Sequence, residues 1–215
     1  MQKLTPPSYT LLALLARQPW SAYELNKLMQ NSVLRAYWPR AESHVYSEPK
    51  KLAKYGLVDV EEEIANGRKR KVYHITHEGR VALETWLKSP GESGAALEFE
   101  AMLKFISADS GTTDSMRRNL HEIHNRALAD AMAIKQGIER ARENSGGLQH
   151  SGKPFNGMAI EFLVDLVSAR LDWSKRAIAE LEQMETTADT AENRALGDEY
   201  YQRQLIRLDK IVEQD

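Results

Sequence analysis

Ser43-His44-Val45-Tyr46-Ser47-Glu48-Pro49-Lys50-Lys51-Leu52-Ala53-Lys54-Tyr55-Gly56 is the stretch whose reading decides the fold. It predicts a basic helix that ends at Gly56. A hairpin is predicted directly after it. Leu57 to Ile64 forms one arm, Asn66-Gly67 the turn, and Arg68 to Thr76 the other arm. Asn-Gly is a strong turn dipeptide because both residues tolerate positive φ. Val58 and Val60 alternate on the first arm and Tyr73 and Ile75 on the second, so each arm offers one face to a core. Arg68-Lys69-Arg70-Lys71 places four cations beside the turn. A basic helix followed by a basic-tipped hairpin has the shape of a winged helix, which suits duplex DNA.

Upstream of this stretch, Thr5 can cap a helix with Pro6 in its first position, where a missing N–H costs nothing. Leu11, Leu12, Leu14, Leu15 and Ala16 supply the buried face of that helix, and Pro19 closes the segment. The apolar run from Leu11 to Ala16 is too short to span a bilayer and lacks the charged start and cleavage site of a secretion signal. Ser21 and Glu24 have the spacing of a capping box, and Trp20 and Leu25 that of a hydrophobic staple, so a second helix is predicted to about Ser32. A loop with Arg35, Tyr37, Trp38, Pro39 and Arg40 joins it to the opening stretch. Two helices with a short connection form a helix-turn-helix candidate. Thr76 then caps a further helix, His77 to about Lys88.

Pro90-Gly91-Glu92-Ser93-Gly94 breaks the pattern and marks a domain boundary. The reading is therefore mainly α: a winged helix-turn-helix domain with a small two-stranded wing over residues 1–90, and long antiparallel helices over 95–215. Met116, Leu120, Ile123, Ala127, Ala131, Ile134 and Ile138 mark one long helix. Ser145-Gly146-Gly147 to Pro154 reads as a linker. Ile160, Val164, Val167, Leu171, Ser174, Ile178 and Leu181 recur at steps of four and three, a heptad-like seam for packing on another helix. Tyr201, Leu205, Leu208 and Val212 repeat the spacing near the C-terminal end. Single apolar seams need a partner, so these helices are expected to pack on each other and on a second subunit. The dimer seam is assigned to Ile160, Val164, Val167, Leu171, Ile178 and Leu181.

Charge divides the chain in the same place. Residues 1–90 carry 14 Lys and Arg against 9 Asp and Glu, and residues 91–215 carry 15 against 22. Only the first part is suited to a polyanion. The 215 residues contain no cysteine, which excludes disulfides and thiolate chemistry and fits a reducing cytoplasm. His121 and His124 are three apart on one helical face, but no third ligand lies nearby, so no metal site is assigned. Gly147 to Pro154 superficially copies a phosphate loop. It has Pro154 where Ser or Thr is needed and follows a helix instead of a strand. No nucleophile elbow or metalloprotease pair is present either, so the reading is not an enzyme and no cofactor is expected.

Several motifs in order carry a family resemblance: Ser21-Ala22-Tyr23-Glu24-Leu25, Tyr46 six residues before Leu52, Gly56-Leu57-Val58, and Gly67-Arg68-Lys69-Arg70-Lys71-Val72-Tyr73-His74-Ile75-Thr76-His77-Glu78-Gly79-Arg80. Residues 8–88 resemble the N-terminal winged-helix domain of PadR-family transcriptional regulators. The helical remainder, with Leu171-Asp172-Trp173, is similar to that family's variable C-terminal dimerisation domain. The resemblance implies a homodimeric DNA-binding regulator, usually a repressor, that responds to small aromatic or hydrophobic molecules. Family members often have an apolar residue three positions after the tyrosine; here it is Pro49. Either the recognition helix starts late, with Ser47 as its cap and Pro49 in the first turn, or it kinks.

On this reading Lys50, Lys51 and Lys54 neutralise phosphates, while Leu52 and Ala53 turn towards the domain. Ser43, His44, Tyr46 and Ser47 lie near the helix start, where side chains reach base edges. Arg68, Lys69, Arg70 and Lys71 enter a narrow groove from the wing, with Glu61-Glu62-Glu63 expected to point away from DNA. Trp173 and Trp38 are candidates for stacking on a flat effector. The partners are then double-stranded DNA at a pseudo-palindromic operator and a second copy of the chain, with no membrane. The rival reading is a winged-helix module for protein–protein contact with a helical scaffold.

Overall fold

In the computed structural model, residues 4–30, 34–37, 46–65, 68–91, 98–143 and 153–214 are described. They group into two compact units: residues 1–95 with 134–163, and residues 96–133 with 164–215. Among the described residues no helix is long and apolar enough to cross a membrane.

The first unit begins with α1 (Pro6–Leu15), capped by Thr5 with proline in its first turn. Strand β1 (Trp20–Ser21) leads into α2 (Ala22–Gln30). The capping box at its entry is fully made. The Ser21 backbone N–H and hydroxyl donate to Glu24 Oε2 at 2.8 and 2.7 Å, and the Glu24 N–H donates to Ser21 Oγ at 3.3 Å. One-turn α3 (Leu34–Tyr37) and then α4 (Glu48–Lys54) follow. Strands β2 (Val58–Ala65) and β3 (Arg68–Ile75) form the wing, and α5 (His77–Lys88) closes the series. The sheet order is β1-β3-β2, all antiparallel. The third strand was not legible: two residues are too few for an alternation pattern, and the same residues carry the helix cap.

The core lies between the helices and the wing. Leu11, Leu12, Leu14 and Leu15 of α1 pack with Leu25, Met29, Leu52, Val58, Tyr73 and Leu83. Each such side chain contributes about 1.5–3 kcal/mol when fully buried. Helix α4 ends in a Schellman turn. Gly56 takes φ 70°, its N–H donates to Ala53 O at 3.0 Å, and the Leu57 N–H donates to Leu52 O at 3.0 Å. Thr76 fastens the end of the wing to that turn. Its hydroxyl donates to Gly56 O at 2.8 Å and accepts from the Gly79 N–H at 3.0 Å. Gly79 sits so close to the turn that a Cβ there would lie 2.1 Å from Leu57 O.

The second unit contains α6 (Glu100–Ile106) and the adjoining parts of α7 (Thr113–Glu143) and α8 (Lys153–Leu181), followed by α9 (Ala191–Val212). Helices α7 and α8 run antiparallel here: Asp130 pairs with Arg170, His124 meets Ser174, and Leu120 and Ile123 share a cluster with Ile178 and Leu181. Phe99, Phe105 and Trp173 border that cluster. The buried Ser174 is satisfied on both sides. Its hydroxyl donates to Leu171 O at 2.9 Å, so it accepts from His124 Nδ1 at 3.0 Å.

Candidate nucleic-acid interface

Helix α4 answers the question posed by Pro49. Ser47 is its N-cap, Glu48 its first residue, and Pro49 lies in the first turn, where no intrahelical donor is lost. Among the described residues the helix therefore starts late and is not kinked. Leu52 is buried and Ala53 packs against the core, as the sequence predicts. Lys50 and Lys54, four residues apart, are exposed on one face and make no ion pair among the described residues. Tyr46, 50% exposed, stands just before the helix and accepts a hydrogen bond from Asn26 Nδ2 at 3.2 Å. Ser43, His44 and Trp38 lie outside the described residues.

Lys51 is engaged differently. Its Nζ lies 3.0 Å from Glu48 Oε1, and Glu48 is only 7% exposed. The same carboxylate oxygen accepts a hydrogen bond from the hydroxyl of Ser8, which is fully buried in α1. Ser8 Oγ in turn accepts from the Thr5 N–H at 3.1 Å. A buried carboxylate needs such partners, since an unpaired one would be strongly penalised. Glu48 therefore fixes the start of α4 onto α1. Nothing in the sequence flags this role, because its partner is 40 residues away.

The wing divides its cations between two faces. Alternation puts Lys69 and Lys71 on one side of β3 and Arg70 on the other, with Val72. Register pairs Glu63 with Arg70 and Glu62 with Lys71. Arg70 Nε and Nη2 donate to Glu63 Oε2 at 3.0 and 2.9 Å, and Nη1 donates to Glu24 Oε1 at 3.0 Å. Lys71 Nζ is 3.9 Å from Glu62 in a looser pair. Lys69 is exposed with no ion pair among the described residues. Arg68 opens β3, and its side chain lies outside the described set. Glu62 and Glu63 thus lie across the hairpin from the basic arm and pair with Lys71 and Arg70. The turn that the sequence reading places at Asn66-Gly67 implies the same register, so these pairs were open to that reading and missed by it.

Burial pushes the Glu24 carboxyl up, but the hydrogen bonds from Ser21 and the Arg70 guanidinium outweigh it, and the net shift is downward. This carboxylate caps α2 with one oxygen and holds Arg70 with the other.

Of the other sites singled out by the sequence, Trp173 is half-buried and meets Phe105 edge-on at 5.2 Å. Along the α8 seam, Val167 and Leu181 are buried at 7% and 5% exposure, and Ile178 packs on the α7 cluster. Leu171 and Ile160 are half-buried, and Val164 is exposed. Part of the seam is thus consumed within the chain. Among the described residues no three His, Cys, Asp or Glu side chains form a group that could hold a metal ion.

A helix seated on a leucine-rich core, followed by an antiparallel wing, defines a winged-helix domain. Residues 11–85 match the family described as Transcriptional regulator PadR-like family. The match is confined to the winged-helix domain, and over that domain the chain is similar to PadR-like transcriptional regulators. Solved structures share the fold. A PadR-like regulator from Bacillus cereus aligns with a TM-score of 0.68 at 17% identity, covering 82% of this chain and 98% of that one. Bacillus subtilis PadR in complex with operator DNA aligns at 0.69 and 18% identity, covering 81% and 98%. The same protein with p-coumaric acid aligns at 0.65 and 18% identity, covering 85% and 100%. A comparison with curated proteins gives no match.

Proposed function

We propose that the chain is a homodimeric, sequence-specific DNA-binding repressor that responds to a small aromatic or hydrophobic ligand. The observation that carries the DNA reading is the set of cations without an ion pair among the described residues. Lys50 and Lys54 project from α4, and Lys69 projects from the wing that follows it. Lys51 and Lys71 stand beside them with one carboxylate each. Lysines so placed neutralise phosphates and supply affinity, while Tyr46 and Ser47, with Ser43 and His44 before them, are assigned the reading of base edges. Arg68, which opens β3, is assigned to the same DNA contact.

Dimerisation is assigned to apolar side chains that stay largely exposed in the chain. Phe155, Met158, Phe162, Val164 and Leu166 are exposed on α8, and Tyr201, Leu205, Leu208 and Val212 on α9. Helical spacing puts Ile160, Val164 and Leu171 on the other side of α8 from Phe155, Phe162 and Leu166, and Val167, Ile178 and Leu181 are assigned to support the dimer from inside the chain. Exposed apolar side chains repeated along one helix mark a candidate association face. A two-fold dimer would place two recognition helices about 34 Å apart and so prefer a two-fold operator. A ligand that favours one dimer geometry would shift the balance between spacings that fit DNA and spacings that do not. Trp173 and Trp38 are the assigned stacking platforms for such a ligand. Cytoplasmic location is part of the same reading.

The test is selection of bound duplexes from a randomised library, with sedimentation of the free protein. A selected two-fold site and a dimer are expected. Selection of no site, or a monomer, refutes the proposal.

A further inference from the structure

Arg70 belongs to the basic run at the wing tip, yet three of its five N–H donors are already committed. Two converge on Glu63 across the hairpin, and the third reaches Glu24 at the first turn of α2. The Glu24 carboxylate is itself fixed by both the backbone N–H and the hydroxyl of Ser21. Ser21 belongs to β1, which pairs with β3 at Val72. The result is a closed ring: β3 to Arg70, to Glu24, to Ser21, and back through the sheet. An isolated surface ion pair is worth little, but a forked arginine between two carboxylates, one locked to the backbone, has the geometry and network that make such contacts count. Lysine could not reproduce it, having a point charge in place of a planar fork.

We propose that Arg70 is a positioning residue that sets the angle of the wing on α2, and that wing contact with phosphate falls to the opposite face of β3, led by Lys69. This rests on the DNA-binding function proposed above. It separates two roles that a run of four cations makes look alike. With Glu63 and Glu24 held, only two of the five Arg70 N–H groups stay uncommitted, and the charge they would offer a phosphate is already shared with two carboxylates.

The experiment uses the full chain with a 30-base-pair mixed-sequence duplex and compares wild type with K69A, R70A, R70K and E63Q. K69A is expected to lower the slope of log affinity against log salt by about 0.9. R70A and R70K are both expected to keep the wild-type slope while weakening binding several-fold at every salt concentration. Without DNA, amide exchange in β2 and β3 is expected to accelerate about tenfold in R70A and R70K, and less in E63Q, with K69A unchanged. A drop of about 0.9 in slope for R70A, restored by R70K, would overturn the proposal; so would unchanged wing exchange in R70K. If wild-type protein binds no duplex, the DNA reading fails, yet the exchange measurements still decide whether Arg70 braces the wing.

Discussion

Replacing Ser8 with Ala should loosen α4 from a distance. The hydroxyl is fully buried and donates to the Glu48 carboxylate, itself 7% exposed. After the substitution, Glu48 keeps Lys51 Nζ at 3.0 Å but is no longer tied to α1. A hydrogen bond to a charged group contributes about 1.5–3 kcal/mol net. The Thr5 N–H also loses its acceptor, although water can replace that partner at the exposed start of α1. We therefore expect S8A to lose about 2 kcal/mol, corresponding to roughly a thirtyfold fall in the folded-to-unfolded ratio. E48Q should cost less. The amide oxygen still accepts from Ser8, and only the ion pair with a part-exposed lysine is weakened, an effect of about 1 kcal/mol or less. Urea denaturation followed by circular dichroism gives the global loss, and amide exchange over 48–54 gives the local one. A loss below about 0.5 kcal/mol for S8A, or a larger loss for E48Q than for S8A, would refute the reasoning, because either result means the buried bond is not what holds α4.

Three further outcomes follow from particular residues. G79A should destabilise by about 2 kcal/mol in urea denaturation despite the better helix propensity of alanine, because the new Cβ would meet Leu57 O at 2.1 Å and Ile75 Cγ1 at 2.8 Å. A stabilised G79A would show that the turn yields easily. G137A, with nothing within 4 Å in the interior of α7, should gain up to about 1 kcal/mol by the same assay, and a loss would contradict the placement. Wing protection, measured as exchange relative to the intrinsic rate, should fall on acidification. The Glu24 carboxyl is lowered in the folded chain, so its contribution is present above the ordinary glutamate value of about 4.3 and is lost as pH falls through the folded one. Acceleration on raising the pH from 5 to 8, beyond the intrinsic exchange rate, would contradict this sign.

Local chemistry was the most legible level. Thr5-Pro6, Ser21 with Glu24, Gly56 and Thr76 all sit at helix ends as their side chains dictate, because caps act over three or four residues. The hairpin arms were legible for the same reason. Pro49 could be read two ways from sequence, and the structure takes the late start with Ser47 as cap. What stayed hidden depends on residues distant in sequence. Glu48 looks like one more charge on a polar helix until Ser8 is placed beneath it. Arg70 looks like one of four equivalent cations until β3 pairs with β2 and α2 brings in Glu24. The α8 seam was visible as spacing, but spacing does not say whose surface covers it; α7 of the same chain covers Ile178 and Leu181.

The most direct test of the account is the salt dependence of duplex binding by the full chain, measured for wild type and the K50A/K54A pair. Both lysines are exposed on one face of α4 without an ion pair among the described residues. The account predicts steep weakening with salt for wild type and a slope shallower by about 1.8 for the pair, about 0.9 for each phosphate left unneutralised. A flat salt response in wild type, or an unchanged slope in K50A/K54A, would contradict the claim that this face meets DNA.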